Sequence, residues 1–282
     1  HDVDAMIYDL PDVGVRFYTY ISSCLQMVDL CAEAGIPMFI LDRPNPLGGT
    51  TLEGPVLEEA DQSFVGIYTL PIRYGLTIGE LATLYIDEQE IDIDLTVVRC
   101  EGWQRDQLFN ETQQIYTIPS PNLPTFESCL VYPGTCLFEG TKLSEGRGTP
   151  RPFTWFGAPW IDRAELFAFA QSLDKPGFTV RPQSYVPSSS KNEGKVCHGL
   201  TLEITDPREV RTVPFICQIL NHLHETYEAF ELLDPFQENG VSFMGRLLGK
   251  KAANLKNWPL KTDWREEQDD FRKRTEGYLL YD

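Results

Sequence analysis

The sequence predicts an α/β fold, a parallel-sheet domain over residues 1–158 followed by a smaller α+β domain over 159–282. Three observations lead there. A strand–helix–strand order opens the chain, and that order implies a parallel sheet. The 282 residues amount to about two domains at roughly 150 residues each. Charge is also unevenly spread: the net charge of −18 divides into −15 over residues 1–158 and −3 over 159–282, with the change at Gly157-Ala158-Pro159.

Residues 4–10 read as a short strand, followed by a loop at 11–16. Ile21, Leu25, Val28 and Ala32 then recur at helical spacing, and Gly35 is a natural residue to end that helix. The apolar run of residues 38–41 has strand length. In open α/β sheets ligands bind beyond the carboxyl ends of the strands. Asp9 and Asp12 follow the first strand, and Asp42, Arg43 and Asn45 follow the second, so charged groups are delivered to one edge. A second unit opens at Thr77-Ile78-Gly79-Glu80, the S/T-x-x-E form of a capping box before Leu81, Leu84 and Tyr85. Glu80 therefore reads as a helix cap rather than a catalytic acid. Another strand is expected at 95–100. Residues 118–125 carry three prolines, which remove backbone donors and fix φ, so this loop is neither helix nor central strand.

Beyond 158, Asp162-Arg163-Ala164-Glu165 is an N-cap pattern opening a helix to about Leu173. Strands are expected at 178–180 and 200–204, and a helix at 214–227. The stretch 243–278 interleaves Lys and Arg with Trp258, Trp264 and Phe271. An amphipathic helix packing its aromatics accounts for it better than an RNA surface, given the acidity of the whole chain.

Composition excludes several classes. Hydrophobic residues are 42% and charged residues 23%, a globular balance, and there is no apolar run long enough to span a bilayer. A charge of −18 disfavours nucleic acid and anionic membranes. The seven cysteines form no C-x-x-C pair and no zinc spacing, and most read as buried thiols. The chain starts at His1 with no visible signal peptide and reads as a fragment. The four histidines form no H-E-x-x-H pair, and there is no G-x-G-x-x-G, P-loop or G-x-S-x-G string.

What remains is carboxylates, arginines, asparagines and tyrosines, densest between Phe138 and Phe153. There Gly146 and Gly148 flank Arg147, holding it near Glu145 in a tight turn. A surface turn with one ion pair would look the same. Carboxylates without a His, Ser or Cys nucleophile fit glycoside hydrolysis, in which paired Asp or Glu residues flank the scissile bond. Tyr, Trp, Asn and Arg combine flat faces with donors and suit sugars.

Six strings, taken in order, resemble the NamZ family of exo-β-N-acetylmuramidases. They are Asp9-x-x-Asp12-Val13-Gly14-x-Arg16-Phe17-Tyr18-Thr19-Tyr20, Leu41-Asp42-Arg43-Pro44-Asn45-Pro46, and Glu53-Gly54-Pro55. Residues 75–82, Pro119-Ser120-Pro121-Asn122, and Glu139-Gly140-Thr141-x-x-Ser144-Glu145-Gly146-Arg147-Gly148-Thr149 complete the set. The closing residues 271–281 look like the family's C-terminal end. The resemblance implies a Rossmann-like N-terminal domain, a smaller C-terminal domain and an active site in the cleft between them. It further implies release of N-acetylmuramic acid from the non-reducing end of peptidoglycan fragments in bacterial cell-wall turnover or recycling, with an extracellular or periplasmic location favoured over a cytoplasmic one. Muramyl saccharides are the implied partners, and no cofactor or metal is expected. The family's chain begins further upstream, with a Pro-Glu-His-Gly motif whose Glu is the favoured catalytic residue. Pro11 stands where the family has Gln, and Tyr74 where it has His. A His there could exchange a proton near neutral pH, whereas a Tyr mainly donates a hydrogen bond.

On this resemblance Glu145 serves catalysis or its positioning. Arg147 orients it or binds the lactyl carboxylate of muramic acid, to which the guanidinium fork is suited. Asp42, Arg43, Asn45 and Asn122 line the sugar pocket, Arg16 and Tyr18 sit at the mouth of the first strand, and Glu139 is either a further site carboxylate or a structural partner. The rival readings are a muropeptide-binding protein without catalysis and a sugar-phosphate-binding module; the second lacks any phosphate cradle in the sequence.

Overall fold

The computed structural model describes residues 3–233, 241–249 and 258–282. It divides into two compact units, the first comprising His1–Leu52, Val56–Ile115 and Arg265–Asp282, the second Glu53–Pro55 and Tyr116–Trp264. The division expected at 158/159 falls inside the second unit, at the end of a strand paired within that unit's own sheet.

In the first unit β1 (Met6–Tyr8), β2 (Met38–Leu41) and β3 (Leu95–Val98) form a sheet in the order β1-β2-β3, both pairings parallel. Helix α1 (Tyr20–Ala34) links β1 to β2. Its apolar side chains Ile21, Leu25 and Val28 are fully buried, and it stops at Gly35, whose φ of 64° is left-handed and whose N–H bonds the Ala32 carbonyl at 3.1 Å. Helix α2 (Ile78–Glu88) starts at the capping box expected from sequence: Glu80 N–H bonds Thr77 Oγ1 at 3.2 Å, and Thr77 N–H bonds Glu80 Oε2 at 2.9 Å. Tyr8, Met38 and Ile40 pack with Ile21, Leu25, Leu81 and Leu84 into one core. Each such side chain removed from water contributes about 1.5–3 kcal/mol. The opposite face of the sheet departs from the expectation of strands buried on both sides: Ile7, Leu41 and Val98 are exposed there.

The second unit holds two elements that periodicity does not reveal. Helix α3 (Phe126–Thr135) contains Pro133 and buries every residue from Ser128 to Thr135, so it has no apolar stripe to read. Strand β4 (Trp155–Ala158) is four residues long. Helix α4 (Arg163–Ser172) is capped as expected, Asp162 Oδ1 accepting from Ala164 N–H at 2.8 Å and Glu165 N–H at 3.2 Å. Strands β5 (Phe178–Tyr185) and β6 (Cys197–Ile204) are longer than their apolar cores predict and join β4 in an antiparallel sheet ordered β4-β6-β5. Pro182 lies in β5, an outer strand of this order, where a missing donor is tolerated. Helix α5 (Val213–Thr226) buries Phe215, Ile216, Ile219, Leu220 and Leu223, and a short helix α6 (Phe243–Leu248) follows.

Among the described residues the stretch 243–278 holds α6 and α7 (Arg265–Thr275), and residues 250–257 between them lie outside the described residues. The aromatics pack as expected, with Trp264 and Phe271 buried. Phe271 joins the core of the first unit, so residues 265–282 pack in the same unit as residues 3–52. All seven cysteines are free, and all but Cys100 are buried. Among the described residues no helix is long and apolar enough to cross a membrane, and no group of side chains could hold a metal ion.

Candidate active site

The parallel topology of the first unit brings the carboxyl ends of β1 and β2 side by side, as the sequence predicts, and the side chains there have distinct fates. Asp9 and Arg43 form a half-exposed ion pair, Arg43 Nε lying 3.0 Å from Asp9 Oδ1. Such a pair contributes little to stability. Asp42 is buried and accepts three hydrogen bonds, from Thr77 Oγ1 at 2.7 Å, Gly79 N–H at 2.9 Å and Tyr281 OH at 2.7 Å. It holds the start of α2 and the C-terminal tail in place. Asn45 is buried too; its amide donates to the Leu76 carbonyl at 2.9 Å and accepts from Leu47 N–H at 3.0 Å. Arg16 is enclosed and donates to the Leu70 carbonyl, and burial lowers its pKa to about 9. Tyr18 is buried beside Tyr20, with ring centroids 4.8 Å apart.

Asp12 behaves differently. Its Oδ2 accepts from Gly14 N–H at 2.8 Å and from the Tyr74 hydroxyl, while its Oδ1 is shut off from solvent and has no hydrogen-bond donor. Burial raises its carboxyl pKa to about 6, against the lowering effect of the Tyr74 and backbone hydrogen bonds; the nearby Asp42 adds to the rise. Tyr74 is itself fully buried, and desolvation first, then the Asp12 charge, hold its hydroxyl well above the ordinary range. Asp12 lines a small hollow with Tyr8, Leu41, Arg43, Asn45 and Ile78.

In the second unit the turn singled out by its glycines forms a cluster of four charges. Arg147 bonds Glu139 through Nε at 3.2 Å and again through its terminal nitrogen, and its Nε lies 3.2 Å from Glu145 Oε1. Lys191 Nζ lies 2.7 Å from Glu145 Oε2 and also donates to the carbonyls of Phe138 at 2.8 Å and Thr141 at 2.9 Å. Glu145 is 1% exposed, whereas the Arg147 side chain keeps 31% of its surface and lies over the Phe153 ring at 5.0 Å. The buried carboxylate is thus fixed between two cations, and the guanidinium is the group that faces outward. Asn122 is half-buried in the proline-rich loop of the same unit.

The sequence placed Glu145 beside Arg147 and Asp42 beside Asn45, and the structure brings each pair to one neighbourhood. Asp42, Asn45 and Arg16 are occupied in holding loops together. Tyr74 was marked as a hydrogen-bond donor without its partner, and Lys191 and Tyr281 were missed, because each reaches its partner across a separation of 46 or more residues and no local spacing marks them. Asp12 was marked as a strand-end group without a role.

The family description "Exo-beta-N-acetylmuramidase NamZ, N-terminal" matches residues 1–127, and its C-terminal counterpart matches residues 130–281. The chain belongs to the NamZ family. It is 41% identical over 281 residues to the peptidoglycan beta-N-acetylmuramidase NamZ of Bacillus subtilis, an alignment covering 99% of this chain and 68% of that protein. Two crystal structures of DUF1343 family proteins from Bacteroides fragilis have similar folds. One has a TM-score of 0.90 at 28% identity over 100% of this chain and 76% of that chain. The other has a TM-score of 0.74 at 29% identity over 99% and 75%.

NamZ membership gives the hydrogen bonds a context. Two of the six NamZ-like strings, separated in sequence, are tied to one another in the first unit, Asn45 to Leu76 and Asp42 to Thr77 and Gly79, and Tyr74, just before the second of them, bonds Asp12 of a third. Tyr74, which stands where NamZ proteins were expected to carry His, is the residue that contacts the carboxyl of Asp12.

Proposed function

We propose that this chain is an exo-β-N-acetylmuramidase that releases N-acetylmuramic acid from the non-reducing end of peptidoglycan fragments in cell-wall turnover. The observation that carries the proposal is the match to NamZ over the whole chain, with 41% identity to a relative named as a peptidoglycan beta-N-acetylmuramidase. The geometry supports it through carboxylates and an arginine held in fixed positions.

In this proposal Arg147 binds the lactyl carboxylate of muramic acid, because its planar fork is partly exposed and already oriented. Glu145 acts by positioning: it is enclosed and fixes Arg147 from behind, Glu139 holding the other side. Within the second unit Asn122 retains exposure for contact with sugar, and within the first unit Arg43 does. Asp42, Asn45, Arg16 and Tyr18 support the strand-end loops of the first unit from within.

The test is hydrolysis of a chromogenic β-N-acetylmuramide and of purified muropeptides, run on this chain and on the whole gene product with any sequence upstream of residue 1. Appearance of free N-acetylmuramic acid is the expected result. A folded whole protein that binds muropeptides and releases nothing would establish the carbohydrate-binding reading instead.

A further inference from the structure

We infer that Lys191 is a positioning residue for substrate recognition in the second unit: by neutralising the buried Glu145 it leaves Arg147 able to select the acidic form of the sugar. The inference rests on the proposed contact of Arg147 with the lactyl carboxylate and adds the residue on which the strength of that contact depends.

Lys191 lies in the loop between β5 and β6, and three oxygens ring its ammonium group. They are Glu145 Oε2 at 2.7 Å, the Phe138 carbonyl at 2.8 Å and the Thr141 carbonyl at 2.9 Å. An ammonium has three donors and no acceptor, so this is a place for a charged lysine. The whole loop is docked on the turn that carries Arg147. Ser188 bonds the Gly148 carbonyl through both its N–H and its hydroxyl, each at 2.9 Å, and the Asn192 amide donates to the Lys142 carbonyl at 3.0 Å. A Cβ on Gly148 would come within 2.5 Å of the Ser189 nitrogen, so only glycine permits the approach. Ser190, next to Lys191, has a φ of 68°. That left-handed backbone is unfavourable for a serine and persists because these contacts hold the loop.

Charge gives the docking a consequence. Glu139 and Glu145 both face Arg147, and Lys191 faces Glu145, so the formal charges of the four side chains cancel. Without Lys191 two carboxylates would share one cation and the cluster would be negative. Glu145 is enclosed, and a buried charge is screened far less than an exposed one. A carboxylate approaching the outward side of Arg147 would then be repelled, whereas an uncharged ester would not. Lys191 therefore sets the preference for the acid over the ester, while the hydrogen bonds of its loop shape the turn for either ligand.

The experiment measures, by calorimetry on the whole gene product, the affinities of N-acetylmuramic acid and of its lactyl methyl ester. The proteins are the wild type, Lys191→Gln, Lys191→Arg, Lys191→Gln/Glu145→Gln, Arg147→Met and the exposed-site control Lys273→Ala. Both ligands are titrated into the same sample, so a loss of folded protein leaves the acid-to-ester ratio unchanged. Lys191→Gln keeps a donor for the two carbonyls and loses the charge; its ratio is expected to fall about tenfold. Lys191→Arg is expected to restore most of the ratio. The double variant buries no unpaired ion, so it folds even where Lys191→Gln does not, and its ratio is expected to return close to that of the wild type. A wild-type ratio in Lys191→Gln, or a double variant whose ratio is reduced by tenfold, overturns the proposal; a reduced ratio in Arg147→Met then leaves the contact of Arg147 with the lactyl carboxylate standing. An unchanged ratio in Arg147→Met overturns both.

Discussion

The Tyr281 hydroxyl donates to Asp42 Oδ2 at 2.7 Å across 239 positions of sequence, joining the penultimate residue to the end of β2. The same carboxylate receives Thr77 Oγ1 and Gly79 N–H, so one buried side chain ties a strand end, a helix start and the C-terminal tail together. The tail is held at two further points: Leu280 N–H bonds Glu80 Oε1 at 2.8 Å, and Arg105 N–H bonds the Asp282 carbonyl at 2.7 Å.

Removing that hydroxyl in Tyr281→Phe leaves Asp42 one donor short in a buried place. A loss of about 1–2 kcal/mol in unfolding free energy is expected. Urea denaturation measures it, and a double-mutant cycle with Asp42→Asn should show coupling between the two positions. Additive effects would mean that the hydrogen bond contributes nothing to the fold.

The stability of the fold is expected to depend on the protonation of Asp12. Its carboxyl pKa is raised from 3.8 to about 6 in the folded protein, so the fold favours the protonated form. The associated stability is fully present below the unfolded pKa and is lost as pH rises through the folded one. At pH 7 the ionised, desolvated carboxylate costs about 2–3 kcal/mol. Asp12→Asn should therefore be more stable than the wild type at pH 7 by about that amount, with the gain gone at pH 3.5. Thermal melts across this range check it; no gain at pH 7 would contradict the burial cost.

Glu145→Gln removes the charge that faces both Arg147 and Lys191. In the whole protein kcat/KM for muropeptides should fall by about two orders of magnitude, with partial recovery in Glu145→Asp. A near-normal rate would take Glu145 out of the machinery. Lys191→Met should cost about 3 kcal/mol of stability, because a buried carboxylate loses the partner 2.7 Å away.

Gly14 has a φ of +72°, and a Cβ placed on it would overlap the side-chain amide of Asn45. Gly14→Ala combines a left-handed backbone with displacement of a buried hydrogen-bonding group, at an expected cost of about 2–3 kcal/mol. It should lower the melting temperature and disturb the Asp12 loop, which the Gly14 N–H bonds at 2.8 Å.

Much of this protein was legible from local chemistry. The periodicity of Ile21, Leu25 and Val28, the stop at Gly35, the Thr77–Glu80 capping box and the Asp162 cap all act within a turn or two of helix, so the residues that cause them are neighbours in sequence. The strand–helix–strand order implied the parallel pairing, and the glycines around Arg147 announced a turn that holds it near Glu145. Helix α3 was hidden because burial on every side erases the apolar stripe.

Long-range partnerships were decided only by the tertiary structure. Asp12, Asp42 and Glu145 are all carboxylates in loops, and their flanking residues do not show which donors will surround each. The fold gives Asp42 three donors and makes it structural, encloses Glu145 between Arg147 and Lys191, and buries the Asp12 carboxyl against the Tyr74 hydroxyl. The chemistry available to a carboxylate depends on its desolvation and on the donors that surround it. Those are set by chain segments that meet only when the sheet, the loops and the returning C-terminal tail have packed.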